Sequence, residues 1–371
     1  MNLVTINIPA GARNNGTMWR RLTSRGIPAY ILSVVLTAFY VSVYWYPDVV
    51  RPVVSVLHPL SASLRGTPAD QWFLYGTLYT VAVIVMGVRM LIRYRTDRYH
   101  RYRTLALMAV QLVFAYLVPA TLVRLGMKEL YFSYFWPLKP EYLFPDTVHA
   151  LLASEHGLYT FMVYWSVLLT VVATPVLTYL YGKRWYCSWV CGCGALAETA
   201  GDPFRHLSSK TTRAWKIERW MVHGVLLSVS AVTLALWWAN TNPQSPLAPY
   251  AHQANRVYGF VVGALFSGVI GVGFYPLLGS RVWCRFGCPM AAVLGILQKY
   301  VSRFRITTNG SQCISCGNCS TYCEMGIDVR MYAQRGENIV RASCVGCGVC
   351  ATVCPRGVLK LENTRMLGEH S

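Results

Sequence analysis

Six stretches of this 371-residue sequence are apolar for long enough to cross a lipid bilayer, and no other feature constrains its fold as strongly. In hydrocarbon every backbone N–H and C=O must be satisfied within the segment, so runs of about 20 apolar residues read as transmembrane helices. The runs cover residues 28–46, 71–92, 104–123, 158–181, 220–239 and 257–278. Gln111 and Pro119 interrupt the third. The charged fraction is 13%, against about a quarter in a soluble domain. The expected fold is therefore an all-α polytopic membrane protein of about six transmembrane helices, with a different, smaller unit at its C-terminus.

The net charge of +19 raises nucleic acid as a partner. The distribution of the charge argues otherwise. If the chain threads back and forth through six spans, 28 of its 34 Lys and Arg fall on one side. Basic loops mark the cytoplasmic face. The reading is a multi-pass protein of the inner (cytoplasmic) membrane with both termini cytoplasmic, in contact with lipid and not with nucleic acid. The first 27 residues carry Arg13, Arg20, Arg21 and Arg25 but no compact apolar stretch ending in small residues, so no cleavable signal peptide is expected. On the other side, the loop 124–157 contains Tyr131-Phe-Ser-Tyr-Phe-Trp-Pro137. This composition suits a loop lying on the outer surface at the membrane interface.

Eight of the 13 cysteines form two runs near the C-terminus. The first is Cys313-Ile-Ser-Cys316-Gly-Asn-Cys319-Ser-Thr-Tyr-Cys323, and the second is Cys344-Val-Gly-Cys347-Gly-Val-Cys350-Ala-Thr-Val-Cys354-Pro355. Each is C-x2-C-x2-C-x3-C, the spacing of bacterial two-cluster ferredoxins. Three thiolates on one tight loop can face a single iron–sulfur cube, while the fourth points away and completes the other cube. Cys313, Cys316, Cys319 and Cys354 are assigned to one 4Fe–4S cluster, and Cys344, Cys347, Cys350 and Cys323 to a second. Gly317, Gly346 and Gly348 allow the bends. Glu324 stands where proline usually follows the fourth cysteine, touching no ligand and lowering the potential slightly. Structural zinc pairs C-x2-C knuckles in groups of four and does not suit these runs. The division expected is a cytoplasmic N-terminal segment (1–27), a membrane domain (28–300) and a cytoplasmic α+β two-cluster ferredoxin-like domain (301–371).

The fourth span ends in Gly182-Lys-Arg-Trp-Tyr-Cys187-Ser-Trp-Val-Cys191-Gly-Cys193, and the sixth in Gly279-Ser-Arg-Val-Trp-Cys284-Arg-Phe-Gly-Cys288-Pro289. Glycine, arginine and both cysteines repeat in register, so the chain contains a duplicated span-plus-elbow unit. A C-x3-C pair puts both thiols on one helix face. Together Cys187, Cys191, Cys284 and Cys288 could hold a further iron–sulfur, iron or copper centre. They could also form a reversible disulfide or pack as small hydrophobes. Cys193 has no counterpart and is read as packing or a spare ligand.

These motifs resemble the NapH/NosR/CcoG type of membrane polyferredoxin over roughly residues 158–360. Gly192 departs from that pattern, which usually has proline there. The resemblance implies service to electron chains of periplasmic nitrate and nitrous-oxide reductases, or assistance in oxidase maturation. The expected function is a membrane-bound iron–sulfur electron-transfer protein, linking quinone or quinol, or a membrane partner, to a redox partner protein. The alternative is a redox assembly factor, a metal reductase for maturation of a copper or haem-copper enzyme. An electron-transfer subunit is expected rather than a stand-alone enzyme, since no nucleophile–base set, phosphate loop or flavin motif is visible.

Only His223 lies inside a span, so no haem is expected; it reads as a polar contact between helices. His149, Glu155 and His156 read as polar loop residues that could accept quinol protons. Gly263, Gly268, Gly271 and Gly273 read as close helix packing.

Overall fold

A computed structural model describes residues 26–363 of the chain, residue 155 excepted. Arg13, Arg20, Arg21, Arg25 and Glu155 thus lie outside the described residues. Six helices are long and apolar enough to cross a membrane: Ile27–Trp45, Gln71–Arg93, Arg98–Arg124, Gly157–Tyr181, Thr212–Thr241 and Ala248–Gly273. Three of them start where a side chain accepts an otherwise orphaned N–H: Asp70 from Phe73, Asp97 from Tyr99, and Thr211 from Ala214. These caps explain why the third and fifth spans begin before their apolar runs do. Gln111 does not break the third span, because its amide donates to Thr80 Oγ1 on the second at 3.1 Å.

Three spans open into wide π-helical turns, at Val110–Leu117, Leu169–Ala173 and Gly259–Ile270. Pro119 and Pro175 follow the first two. Proline offers no N–H and crowds the carbonyl four residues back, so the turn before it widens.

The loop between the third and fourth spans does not lie on the surface as its composition suggested. It folds inward between the helices. The Trp136 indole donates to Thr233 Oγ1 on the fifth span at 3.2 Å, and Thr170, mid-way along the fourth, donates to the Trp136 carbonyl at 3.3 Å. Trp165 donates to Phe132 O, and Tyr186 to Ser133 O, both at 2.9 Å. Backbone of irregular shape is tolerated at this depth only because these side chains satisfy it.

From the other end the first elbow rises to meet the loop. Phe135 stacks on Trp185 and edges onto Tyr186. The Tyr79 hydroxyl of the second span donates to Gly192 O at 2.8 Å. Gly182 and Gly279, at the two span ends, have φ of +67° and +95°. Only glycine takes such backbone readily, which accounts for their repetition in register.

After the helix Pro289–Tyr300 the chain forms the C-terminal ferredoxin-type unit. Strand β1 (Phe304–Thr308) pairs antiparallel with β2 (Leu359–Asn363), bringing the two ends of the unit together. One continuous hydrophobic core joins this unit to the elbows, running from Phe135, Tyr186 and Trp283 to Phe304, Ile306 and Leu361.

Candidate metal centres

The two cysteine runs fold crosswise. One cavity is lined by Cys313, Cys316, Cys319 and Cys354, and a second by Cys323, Cys344, Cys347 and Cys350. In each run the residue before the second cysteine and the residue after it have positive φ: Ser315 (+57°) and Gly317 (+79°), Gly346 (+65°) and Gly348 (+83°). This local backbone curls the loop and aims its N–H groups inward. Ile327 N–H points to Cys323 Sγ and Val358 N–H to Cys354 Sγ, each at 3.4 Å.

The donor set fits iron–sulfur clusters. It consists of soft thiols with backbone N–H groups aimed at sulfur. Among the described residues, no three cysteine sulfurs lie within 4.8 Å of one another. Four thiolates around one tetrahedral ion at about 2.3 Å would stand closer than that, so each cradle suits a wider body. Burial pushes the Cys319 and Cys344 thiols up to about 12.

The cradles differ in their surroundings. Around the Cys313 cradle, Cys316 and Ile314 are exposed. The Cys344 cradle is pressed against the membrane helices, and four consecutive carbonyls of its loop each accept a hydrogen bond from outside the unit. Gln298 donates to Cys344 O at 2.7 Å, Ser188 to Val345 O at 2.8 Å and Tyr99 to Gly346 O at 2.7 Å. Arg103 donates to Cys347 O. A loop whose N–H groups turn inward leaves its carbonyls outside, and burial there demands a donor for each. Nothing in the spacing of these four residues marks them in the sequence.

Behind this loop lies a buried charge network. Glu198 pairs with Arg103 at 2.9 Å, Arg205 at 2.5 Å and Arg281 at 2.8 Å. Glu324 pairs with Arg205 at 2.8 Å and Arg281 at 3.2 Å. Asp202 pairs with Arg205 at 2.9 Å, Arg89 at 3.3 Å and also Arg93. Arg205 Nη1 lies 3.8 Å from Cys347 Sγ, and Arg281 Nη1 lies 3.5 Å from Cys284 Sγ. The carboxyls of Glu198 and Glu324 and the Cys347 sulfur are all within 4.8 Å of one another.

Glu324 is therefore no bystander: it is buried beside the Cys347 sulfur, with two guanidiniums on it. Burial pushes its carboxyl up. Burial acts on Glu198 in the same sense, but Arg103, Arg205 and Arg281 override it and hold that carboxyl down. Arg103, Arg205 and Arg281 also qualify the charge count used for topology. They are fully buried structural cations, not loop residues facing solvent.

Cys187, Cys191, Cys284 and Cys288 are all buried and share one core. Burial pushes Cys187 up to about 12, whereas a hydrogen bond with Cys193 holds Cys191 down to about 7. Cys193, read from sequence as packing or a spare ligand, packs partly buried against the same core as the elbow thiols. It also lines a cavity of about 710 Å³ that runs between the spans. Tyr75, Tyr79, Gln111, Tyr134 and Trp283 line this cavity as well, and Glu129, Lys139 and Glu141 of the inserted loop stand along it.

Gly263 faces this cavity with nothing within 4 Å of a built Cβ, while Gly268, Gly271 and Gly273 do meet neighbouring helices closely. His223 lines a different cavity, at the foot of the fifth span. His149 faces Asn240 at 3.4 Å, and His156 packs edge-on to Tyr159.

Comparison with known proteins adds to this geometry. A 4Fe–4S binding domain model matches twice, at residues 164–211 and 260–307, once around each elbow. A 4Fe–4S dicluster domain model matches residues 312–359. The methylamine utilization ferredoxin-type protein MauN of Paracoccus denitrificans is 33% identical over 39% of this chain and 49% of its own. The ferredoxin-type protein NapH of Escherichia coli is 31% identical over 41% of this chain and 51% of its own. The regulatory protein NosR of Stutzerimonas stutzeri is 27% identical over 42% of this chain and 22% of its own. The chain spans about half the length of MauN and NapH. No solved structure matches it. Six helices long and apolar enough to cross a membrane, a duplicated cysteine elbow and a dicluster unit whose cavities each draw cysteines from both runs make this chain similar to the NapH/NosR-type 4Fe–4S membrane polyferredoxins.

Proposed function

We propose that this protein carries electrons between a membrane quinone pool and a redox partner. Two 4Fe–4S clusters would be held by Cys313, Cys316, Cys319 and Cys354, and by Cys344, Cys347, Cys350 and Cys323. The observation that carries this reading is the crossed lining of the two cavities, three cysteines from one run and one from the other in each. When bound, such clusters supply one-electron storage at low reorganisation. The chain's own residues do the rest. Gln298, Ser188, Tyr99 and Arg103 fix the Cys344 loop against the membrane helices. Arg205 and Arg281 set positive charge beside Cys347 and Cys284. The exposed edge at Ile314 and Cys316 is where a soluble partner would approach, on the cytoplasmic side given the basic loops.

Cys187, Cys191, Cys284 and Cys288 are the candidates for a third centre, with Cys193 beside them. Their support is the repeated domain match around each elbow and their common burial. The cavity of about 710 Å³ is within the range for organic ligands, and its aromatic walls with Gln111 and five tyrosines suit a quinone ring. Cys193 lines its wall, so a ring bound there would stand next to the elbow thiols.

The test is anaerobic purification with iron and sulfide analysis and EPR, on wild type and on a quadruple Cys187→Ser, Cys191→Ser, Cys284→Ser, Cys288→Ser variant. About eight irons from two cubes plus further iron lost in the variant is the expected result. Eight in both would leave the elbows empty and remove the third centre. A wild-type protein with zinc and no cubane signal would overturn the whole reading. For the quinone, Gln111→Leu should slow bleaching of the cluster absorbance by a quinol and leave bleaching by dithionite unchanged. Equal quinol rates in the two proteins would move the quinone elsewhere.

A further inference from the structure

A second cavity, of about 500 Å³, lies at the seam between the membrane helices and the ferredoxin-type unit. The foot of the fifth span forms one wall, the second elbow and the helix Pro289–Tyr300 another, and residues 340–343 the third. Its charges are one-sided. Lys183, Arg219, Arg285, Lys299 and Arg341 line it, with His223, against a single carboxylate, Glu218. That carboxylate is already engaged: Arg285 donates to it at 2.9 Å, and so does Ser343.

The remaining cations have no carboxylate within ion-pair distance among the described residues. Lys183 stands at the floor, 2% exposed, with its ammonium donating only to the carbonyls of Ala291 at 3.0 Å and Ala342 at 3.3 Å. An ammonium has three donors, so one remains over. At the mouth, Arg219 and Arg341 both lie over the Trp215 ring, at 5.5 and 4.8 Å from its centre. Lys183 is the buried cation of the four, and a buried cation without a counter-charge is costly; with Arg219 and Lys299 exposed and Arg341 half-buried above it, the space calls for an anion to fill it. The side chains around the mouth say which kind. Trp220, Ile296 and Tyr300 stand exposed on the neighbouring helix surfaces, 81, 41 and 60% accessible. Aromatic and apolar side chains in such a belt mark the level of lipid headgroups.

We infer that this cavity binds the phosphate-bearing headgroup of an anionic phospholipid. The headgroup bridges Arg219 at the foot of the fifth span and Lys299 of the helix Pro289–Tyr300 to Arg341 of the ferredoxin-type unit, with the Lys183 ammonium beneath it. The lipid thereby braces the unit on the membrane. This inference stands independently of the electron route proposed above, because it uses neither the clusters nor the quinone.

The experiment uses the full-length protein in detergent and in nanodiscs. Native mass spectrometry would follow retained phosphatidylglycerol and phosphatidylcholine from an equimolar mixture. Thermal unfolding would be followed with added short-chain phosphatidylglycerol, phosphatidylcholine or inorganic phosphate. Wild type should retain phosphatidylglycerol preferentially and gain thermal stability from it alone. An Arg219→Gln, Lys299→Gln variant, altered only at the exposed mouth, should lose that retention by about tenfold or more, since each cation near a headgroup contributes appreciably. Equal retention of the two lipids, or an unchanged preference in the variant, would overturn the site. An equal stabilisation by inorganic phosphate would show a free-anion site and overturn the lipid assignment.

Discussion

Arg205 and Arg281 share the same two carboxylates, Glu198 and Glu324, and each also turns a terminal amine, Nη1, to a different cysteine. Arg205 reaches Cys347 Sγ at 3.8 Å and Arg281 reaches Cys284 Sγ at 3.5 Å. The dicluster unit and the second elbow are thus joined by one buried ionic bridge, in which no carboxylate lies without a guanidinium.

Replacing Arg205 with Gln removes a positive charge from beside a ligand of the Cys344 cluster. The reduced, more negative form loses the more, so the reduction potential of that cluster falls. A differential loss of about 1.4 kcal/mol corresponds to ~59 mV for a one-electron couple. Potentiometric EPR should find this shift in one cluster and not in the one at Cys313. Arg205→Lys, which keeps the charge, should recover most of it. Because uncovering buried carboxylates costs about 3–5 kcal/mol, the Gln variant should also melt at lower temperature. A potential that stays in place while stability falls would make Arg205 structural only.

The crossed linings lead to a prediction that a simple one-run-per-cluster arrangement does not share. Cys354→Ser, in the second run, should abolish the same EPR signal as Cys313→Ser in the first, with iron falling by about four atoms per chain in each case. Cys323→Ser should remove the other signal, alongside Cys344→Ser. Pairing of signals by run instead of across runs would disprove the ligand sets.

Tyr99 donates to Gly346 O from the start of the third span. Tyr99→Phe leaves that buried carbonyl without its donor, at about 1–3 kcal/mol. The expected outcome is faster oxidative loss of the Cys344 cluster, followed by its visible absorbance and EPR, with the Cys313 cluster unaffected. Equal loss from both clusters would mean the hydrogen bond does not act on that loop.

Two positive-φ glycines beside the second cysteine of their runs, Gly346 before Cys347 and Gly317 after Cys316, should respond unequally to alanine. A Cβ on Gly346 would lie 2.7 Å from Arg184 Cβ and 3.1 Å from Phe304, on backbone at φ +65°. A Cβ on Gly317 would meet only the Arg330 guanidinium at 3.9 Å, so it carries the backbone penalty alone, about 1 kcal/mol. Gly346→Ala should fail to retain the Cys344 cluster and loosen the unit from the membrane helices, read as new proteolytic sensitivity. Gly317→Ala should keep both clusters with a modest loss of thermal stability. Equal behaviour of the two variants would refute the packing argument.

Sequence alone determined whatever is local or periodic. Six spans followed from the length of apolar runs, because lipid demands that each segment satisfy its own backbone. The cysteine runs announced their clusters because C-x2-C-x2-C spacing curls three thiols onto one loop. The duplicated elbow was legible because glycine, arginine and two cysteines recur in register, and a positive φ at the span end requires glycine twice. Tertiary structure decided what joins distant segments. The 131–138 loop had the composition of a surface loop, and only its partners Thr170, Thr233 and Tyr186 draw it into the bundle. Arg103, Arg205 and Arg281 counted in sequence as topology signals, yet burial against Glu198 and Glu324 makes them the bridge between elbow and ferredoxin. Charge and hydrogen bonding act through space over a few ångströms, and no spacing along the chain encodes which loop will arrive there.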